Sequence, residues 1–158
     1  MLANIEASRS ARPTESFSIY SRKETALQFY LDQGWEGKWI QSHLDGIDFT
    51  KPVYVDTLKA GDDVFQWQIP GARQGNYYTP DQLTLPDQLG INPQAIHRDT
   101  GLLIDKVQGQ YHVTQDVQVL RSTAKDIIDD WSVSTQPYKA PGGGTQLFTT
   151  EKDPFKLQ

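Results

Sequence analysis

Two glutamines with one residue between them, Gln66 and Gln68, and two adjacent aspartates, Asp129 and Asp130, are the spacings that invite a chemical reading. On an extended segment Gln66 and Gln68 project from the same face, and each amide both donates and accepts hydrogen bonds. Asp129 and Asp130 stand immediately before Trp131, a pair of carboxylates at the edge of an apolar run. Taken singly, each has a plainer reading: a solvated strand face for Gln66, a helix-end charge pair for the aspartates, a bridged turn for Gln146, and core or rim for Tyr77 and Tyr78.

Other chemistries are excluded by what is missing. There is no cysteine, hence no disulfide, thiolate metal site or cysteine nucleophile. The three histidines, His43, His97 and His112, lack metal-ligand spacing, and His97 and His112 read as surface or loop residues, so no metal site is expected. No GxxxxGK[ST], HExxH or GxSxG motif occurs. Gly142-Gly143-Gly144 is followed by no lysine and reads as a turn that needs only positive φ.

The elements that would position these residues follow from periodicity. Ser21 and Glu24 form a capping box ahead of Leu27, Tyr30 and Leu31, with Gly34 as the stop. A second helix over Gly37 to Leu44 is expected to bury Trp39, Ile40 and Leu44. From Pro52 the period becomes two. Val53 and Val55 mark one strand, residues 60–63 a turn, and Val64 to Ile69 a second strand with Phe65, Trp67 and Ile69 on its core face. Ala72 to Gly101 reads as a long ordered loop beside the site. Tyr111, Val113, Val117 and Val119 share a face. Thr123 to Asp126 looks like a helix start carrying Ile127 and Ile128, with Asp129 and Asp130 near its end, and Gln146 to Thr149 is a last strand.

The expectation is one α+β domain over residues 1–158. Short helices in 17–50 pack on a small, twisted, mainly antiparallel sheet in 52–149, and 1–16 and 150–158 are loose tails. A hydrophobic fraction of 37 % with four tryptophans is enough for one core. The net charge of −5 argues against sequence-independent nucleic-acid binding and favours a basic protein partner. No run of about eighteen apolar residues suggests a membrane span, and the first residues show no cleaved leader.

Six segments recur together in order: Val64 to Trp67, Gly75 to Pro80, Leu89 to Ile91, Val119 to Ser122, Ile128 to Ser132 and Gly142 to Phe148. Together they resemble the NAD(P)⁺ glycohydrolase toxin domain at the C-terminus of type VI secretion effectors, and more distantly the tuberculosis necrotizing toxin family. The resemblance covers about Pro52 to Thr149. It implies catalytic roles for Gln66, for Asp129 or Asp130, and for Gln146. Asp129 is favoured because it sits two before the tryptophan. The necrotizing-toxin branch holds arginine at the Gln66 position, so Gln66 follows the type VI branch.

The resemblance also implies the chemistry. Nicotinamide leaves NAD⁺ as a neutral amide, so no general acid is needed, unlike glycosidases with two carboxylates. Positive charge develops on the ribosyl ring, where one carboxylate can stabilise it and orient water. Trp67, Tyr77 and Tyr78 would offer faces for a planar ring. Arg73, Gly75 and Asn76 would lie at the pyrophosphate. NAD⁺ or NADP⁺ is then the substrate and no cofactor is required. A cognate immunity protein is the expected partner, and the cytoplasm of a recipient bacterial cell the site of action. Two alternatives stay open: an ADP-ribosyltransferase toxin, against which Glu151 is the only glutamate after residue 36, and a non-enzymatic adaptor module of an effector.

Overall fold

The computed structural model describes residues 18–158; the expected loose segment 1–16 lies outside them. Helix α1 runs Ile19–Asp32, capped by Ser18, whose Oγ accepts the Ser21 N–H at 2.9 Å. The cap thus sits three residues before the expected Ser21. The buried face rotates accordingly to Ala26, Phe29 and Tyr30, while Leu27 and Leu31 remain exposed. Helix α2, Gly37–Leu44, has the expected bounds and buries Ile40. Trp39 does not join the core: it is 61 % exposed.

Two small antiparallel sheets form the body. One has the order β1 (Tyr54–Leu58), β7 (Val117–Thr123), β10 (Thr145–Phe148), β3 (Tyr77–Tyr78); the other has β11 (Phe155–Leu157), β6 (Val107–Val113), β2 (Asp63–Gln68). A β-bridge joins them, with Phe65 and Thr79 exchanging N–H···O bonds at 2.9 and 2.8 Å. Side chains alternate across each strand. Leu120 and Phe148 therefore face the helices with Phe29, Tyr30 and Ile40, whereas Val117, Val119 and Leu147 face Val64, Tyr111, Val113 and Phe155 of the second sheet. The predicted face of Tyr111, Val113, Val117 and Val119 is that second core.

Three local expectations change. On β2 the inter-sheet core takes the Val64 and Gln66 face, 1 % and 4 % exposed, rather than the Phe65, Trp67 and Ile69 face alone; Phe65 is buried too, so both sides are covered. The helix expected after Thr123 is instead strand β8 (Ile127–Asp129), hairpinned with β9 (Tyr138–Ala140). Ile127 and Ile128 are β-branched, and burial alternates from half-buried Ile127 to exposed Ile128 to buried Asp129. Tertiary partners also take the backbone that a helix would need: Ala124 N–H donates to Gly144 and Lys125 N–H to Gly46. Finally, residues 150–158 are not a loose tail. β11 pairs with β6, and Phe155 stacks on Tyr78 at 4.3 Å. One buried aromatic among polar residues leaves no periodic trace in sequence.

The stretch 72–101 carries β3, a 3₁₀ turn (Pro86–Leu89) and β4 (Gln94–Ile96), the last paired with β5 (Leu103–Asp105). It is built structure for much of its length.

Candidate active site

Gln66 is the centre of a fixed network at the β2–β3 junction. Its Nε2 donates to the Tyr77 carbonyl at 2.7 Å, and its Oε1 accepts from the Gly75 N–H and from Gln68 Nε2, each at 2.8 Å. Gln68 Nε2 also donates to the Tyr111 hydroxyl at 2.6 Å. Donors and acceptors on every side dictate which way the amide points. The Gly75 N–H, a candidate for holding pyrophosphate, is given to Gln66 instead. Lys152 closes the turn from outside, its ammonium donating to the Gly75 carbonyl and to Asn76 Oδ1.

Tyr77 ties this junction to the helices. Its hydroxyl meets Tyr30 Oη at 3.0 Å and His43 Nδ1, and the His43 ring lies parallel to the Tyr77 ring with centroids 5.5 Å apart. Burial pushes the His43 pKa down to about 4 and the Tyr30 pKa up to about 12, the latter against the hydrogen bond from Tyr77. Burial, and then the neighbouring Tyr30, raises Tyr77 well above its usual value. All three are neutral at pH 7. The Tyr77 hydroxyl thus links the Tyr30 hydroxyl and the His43 ring in one buried chain of neutral groups. Tyr78 is 1 % exposed and stacked on Phe155, and its hydroxyl takes a bond from Gln74. Tyr78 thus has no open ring face, and Tyr77 is half-buried against His43 and Phe148.

Asp129 closes β8 as a fully buried carboxylate. Oδ2 accepts from the Asn92 N–H at 2.8 Å and the Ser132 hydroxyl at 2.6 Å; Oδ1 accepts from the Trp131 and Ser132 N–H groups at 3.0 and 2.8 Å. Burial alone would raise its pKa, but these four bonds to the charged form outweigh it and hold the carboxyl below the usual range. Lys106 donates to Ser132 Oγ at 2.8 Å, placing an ammonium one hydroxyl away. Asp130, just past the strand, is exposed.

Gln146 lies on the helix-facing side of β10, where Nε2 donates to Ser122 Oγ at 3.1 Å and the Gly46 carbonyl at 3.2 Å. The glycine turn before it needs more than positive φ. Gly142 (φ +70°) would put a Cβ 2.6 Å from the Ala124 carbonyl oxygen. Gly144, without positive φ, would put one 2.9 Å from that of Gln88. The N–H groups of Gly142, Gly143 and Gly144 donate to Asp87, Ala124 and Gln88 carbonyls, which leaves none for a phosphate. Shallow clefts flank this turn: about 420 Å³ between Pro80, Thr84 and Thr145, and about 450 Å³ between Ile127, Lys139 and Pro141. Trp67 is held by its Nε1 bond at 2.9 Å to the carbonyl of Thr84, a residue of the first cleft. Arg73 is exposed.

The fold thus brings Gln66, Gly75, Asn76 and Tyr77 together, with Tyr78 adjoining. Asp129 and Gln146 belong to separate hydrogen-bond networks that share no partner with that of Gln66. The sheet stands between Gln146, beside Phe148 on the helix side, and Gln66, beside Val64 on the inter-sheet side. Among the described residues no group of three His, Cys, Asp or Glu side chains converges to hold a metal. Sequence reasoning missed Lys152, Lys106, His43 and Tyr30, whose partners are distant in the chain. Trp131, 57 % exposed beside Asp129, had a signal: it stands in the same recurring segment. Chemically, one region offers a fixed anion beside an open indole, and a separate one a fixed amide.

Residues 2–155 match the family model described as bacterial toxin 46. Over 154 residues the chain is 40 % identical to the NAD(P)(+) glycohydrolase toxin Tse6 of Pseudomonas aeruginosa, covering 98 % of this chain and 36 % of that protein. The chain therefore spans about a third of that curated relative. The solved structure of Tse6 in complex with Tsi6 superposes with a TM-score of 0.78 at 38 % identity, over 90 % of this chain and 98 % of that one. Rhs1-CT, solved with its cognate immunity protein RhsI1, shares the fold at a TM-score of 0.52 and 20 % identity, over 83 % and 91 % of the two chains. With nearly its whole length matched in sequence and its fold matched in space, the chain belongs to the bacterial toxin 46 family.

Proposed function

We propose that the chain hydrolyses NAD⁺, and NADP⁺ with it, to nicotinamide and the ADP-ribose product, as an antibacterial effector domain. The observation that carries this reading is the 40 % identity, over 98 % of the chain, to a toxin named for that activity. The site's chemistry is compatible with it. Water oxygen bonds to the ribosyl C1′ as the C1′–N1 bond breaks; the electron pair leaves with nicotinamide, and the water's second proton goes to solvent. No acid is needed at a leaving group that departs neutral. The barrier lies in the positive charge that grows on the ribosyl ring, and a preorganised anion lowers it without reorganising. Asp129, ionised and locked by four donors, supplies that potential, with Trp131 beside it as the open face for the nicotinamide ring. Gln66 holds the Gly75–Tyr77 turn against which the substrate lies.

No metal or cofactor takes part in this scheme. The cytoplasm of a recipient cell is the place of action, because the dinucleotide pool is there. No described helix is long and apolar enough to cross a membrane. A cognate immunity protein is the partner; Tse6, solved in complex with Tsi6, supports a bound protein on this fold. Nicotinamide release by the purified chain in the presence of EDTA tests the activity. Steady consumption of NAD⁺ is expected. Inertness toward both dinucleotides, or a strict divalent-metal requirement, overturns it, and ADP-ribose attached to protein in place of free product makes the domain a transferase.

A further inference from the structure

Lys152 carries a half-buried charge that no carboxylate neutralises among the described residues. Its ammonium donates to two neutral oxygens, the Gly75 carbonyl and Asn76 Oδ1, and both neighbours in sequence, Glu151 and Asp153, are exposed and form no ion pair with it. Withdrawing an ammonium from water is unfavourable unless an anion compensates. Of its three donors, two are engaged and one remains. The position is tied to the proposed site through a single residue: Gly75 accepts from Lys152 at its carbonyl and donates to Gln66 Oε1 at its N–H. Two residues earlier Arg73 is exposed and has no ion pair or hydrogen bond among the described residues. Two cations without carboxylate partners thus flank one turn of a chain whose net charge is −5.

We infer that Lys152, with Arg73, forms the diphosphate subsite of this domain, on the outer side of the Gly75 turn from Gln66. The inference rests on the dinucleotide reading and adds to it a residue from the C-terminal strand region. A phosphate oxygen accepts from the remaining ammonium N–H in an ion-paired hydrogen bond, stronger than those to the two neutral oxygens. Gly75 is itself exposed and has no side chain to keep the phosphate away. Lys152 holds the non-reacting part of the substrate, so its loss weakens binding more than it slows bond breaking.

The test has two independent arms. In the first, calorimetry with inorganic pyrophosphate on the full chain needs no turnover: wild type binds it, Lys152→Gln weakens binding at least tenfold, Arg73→Gln weakens it less, and Lys152→Arg retains it. Equal binding by wild type and Lys152→Gln, or no binding by wild type, overturns the subsite. In the second, nicotinamide release is compared for NAD⁺ and for nicotinamide riboside, which has no phosphate. Lys152→Gln should raise KM for NAD⁺ about tenfold, and its loss of kcat/KM on the riboside should be at least fivefold smaller than on NAD⁺. Equal losses on both would make Lys152 a structural clamp of the turn. A wild type that binds pyrophosphate yet releases no nicotinamide would sink the proposed activity while leaving the anion site standing.

Discussion

Asp129 and Gln66 are both buried polar side chains on strands, and both direct their hydrogen-bonding groups to the protein itself, yet they differ in charge. Asp129 is an anion whose four acceptor positions are filled by one hydroxyl and three backbone N–H groups. Gln66 is a neutral amide, satisfied by two backbone groups and a second glutamine. A buried anion satisfied only by donors cannot exchange an oxygen for an amide without turning donors against donors. A buried amide that is removed leaves fewer and cheaper gaps. The first region should therefore couple fold and function tightly, and the second should let them separate.

The strongest test of that contrast is Asp129→Asn. Its NH₂ group would face N–H or O–H donors whichever way it turned. Unfolding by denaturant should show a loss of about 3 kcal/mol, together with near-complete loss of nicotinamide release. Asp130→Asn, at an exposed position, should change stability by less than about 0.5 kcal/mol. Asp129 is buried at the end of β8 and Asp130, just past it, is exposed, so the two substitutions should differ sharply. Equal effects of the two substitutions would break the comparison.

Gln66→Ala comes next. It frees the Gly75 N–H and the Tyr77 carbonyl, and stability should fall by about 1–2 kcal/mol. Turnover should fall a hundredfold or more, so activity measured well below the melting temperature should be lost while the fold persists. Activity that falls only in proportion to the folded fraction would make Gln66 a structural residue alone.

Acid pH separates the regions further. The folded His43 pKa is depressed to about 4, so between pH 6.5 and 4 the unfolded chain binds a proton that the native chain refuses. Stability is full above pH 6.5 and declines through that window, by roughly 1–2 kcal/mol once screening by the solvent that reaches the ring is allowed for. Asp129 acts in the same direction at lower pH: its stabilisation is present above the ordinary carboxylate range and is lost as pH falls through its depressed folded value. Thermal melts of His43→Gln should be flatter than wild type from pH 6.5 to 4, and should steepen below pH 4 as wild type does. A wild-type profile that is flat above pH 4 would remove His43 from the account.

Trp67→Phe should have the smallest effect. It loses one hydrogen bond, to the Thr84 carbonyl, at a cost of about 1 kcal/mol. Nicotinamide release should stay within a fewfold, since Trp67 is tied to the cleft by Thr84 and not to the Gln66 network.

Much of this molecule is legible in its sequence because periodicity is local. The two-residue alternation of Tyr111, Val113, Val117 and Val119 defined a core face, and the span Gly37 to Leu44 is that of α2. Six short segments in order sufficed for the family. The rest was decided by contacts between residues far apart in the chain, which leave no periodic mark. Asp129 owes its burial and its ionisation partly to the N–H of Asn92, 37 residues away, and the Gly75 turn is closed by Lys152, 77 residues on. That Gln66 and Gln146 stand on opposite sides of a sheet follows from strand order, and order is set by which apolar faces find each other on folding. Local sequence determined what each strand could bury. The tertiary structure decided against which partner, and so which polar groups became satisfied, charged or left facing solvent.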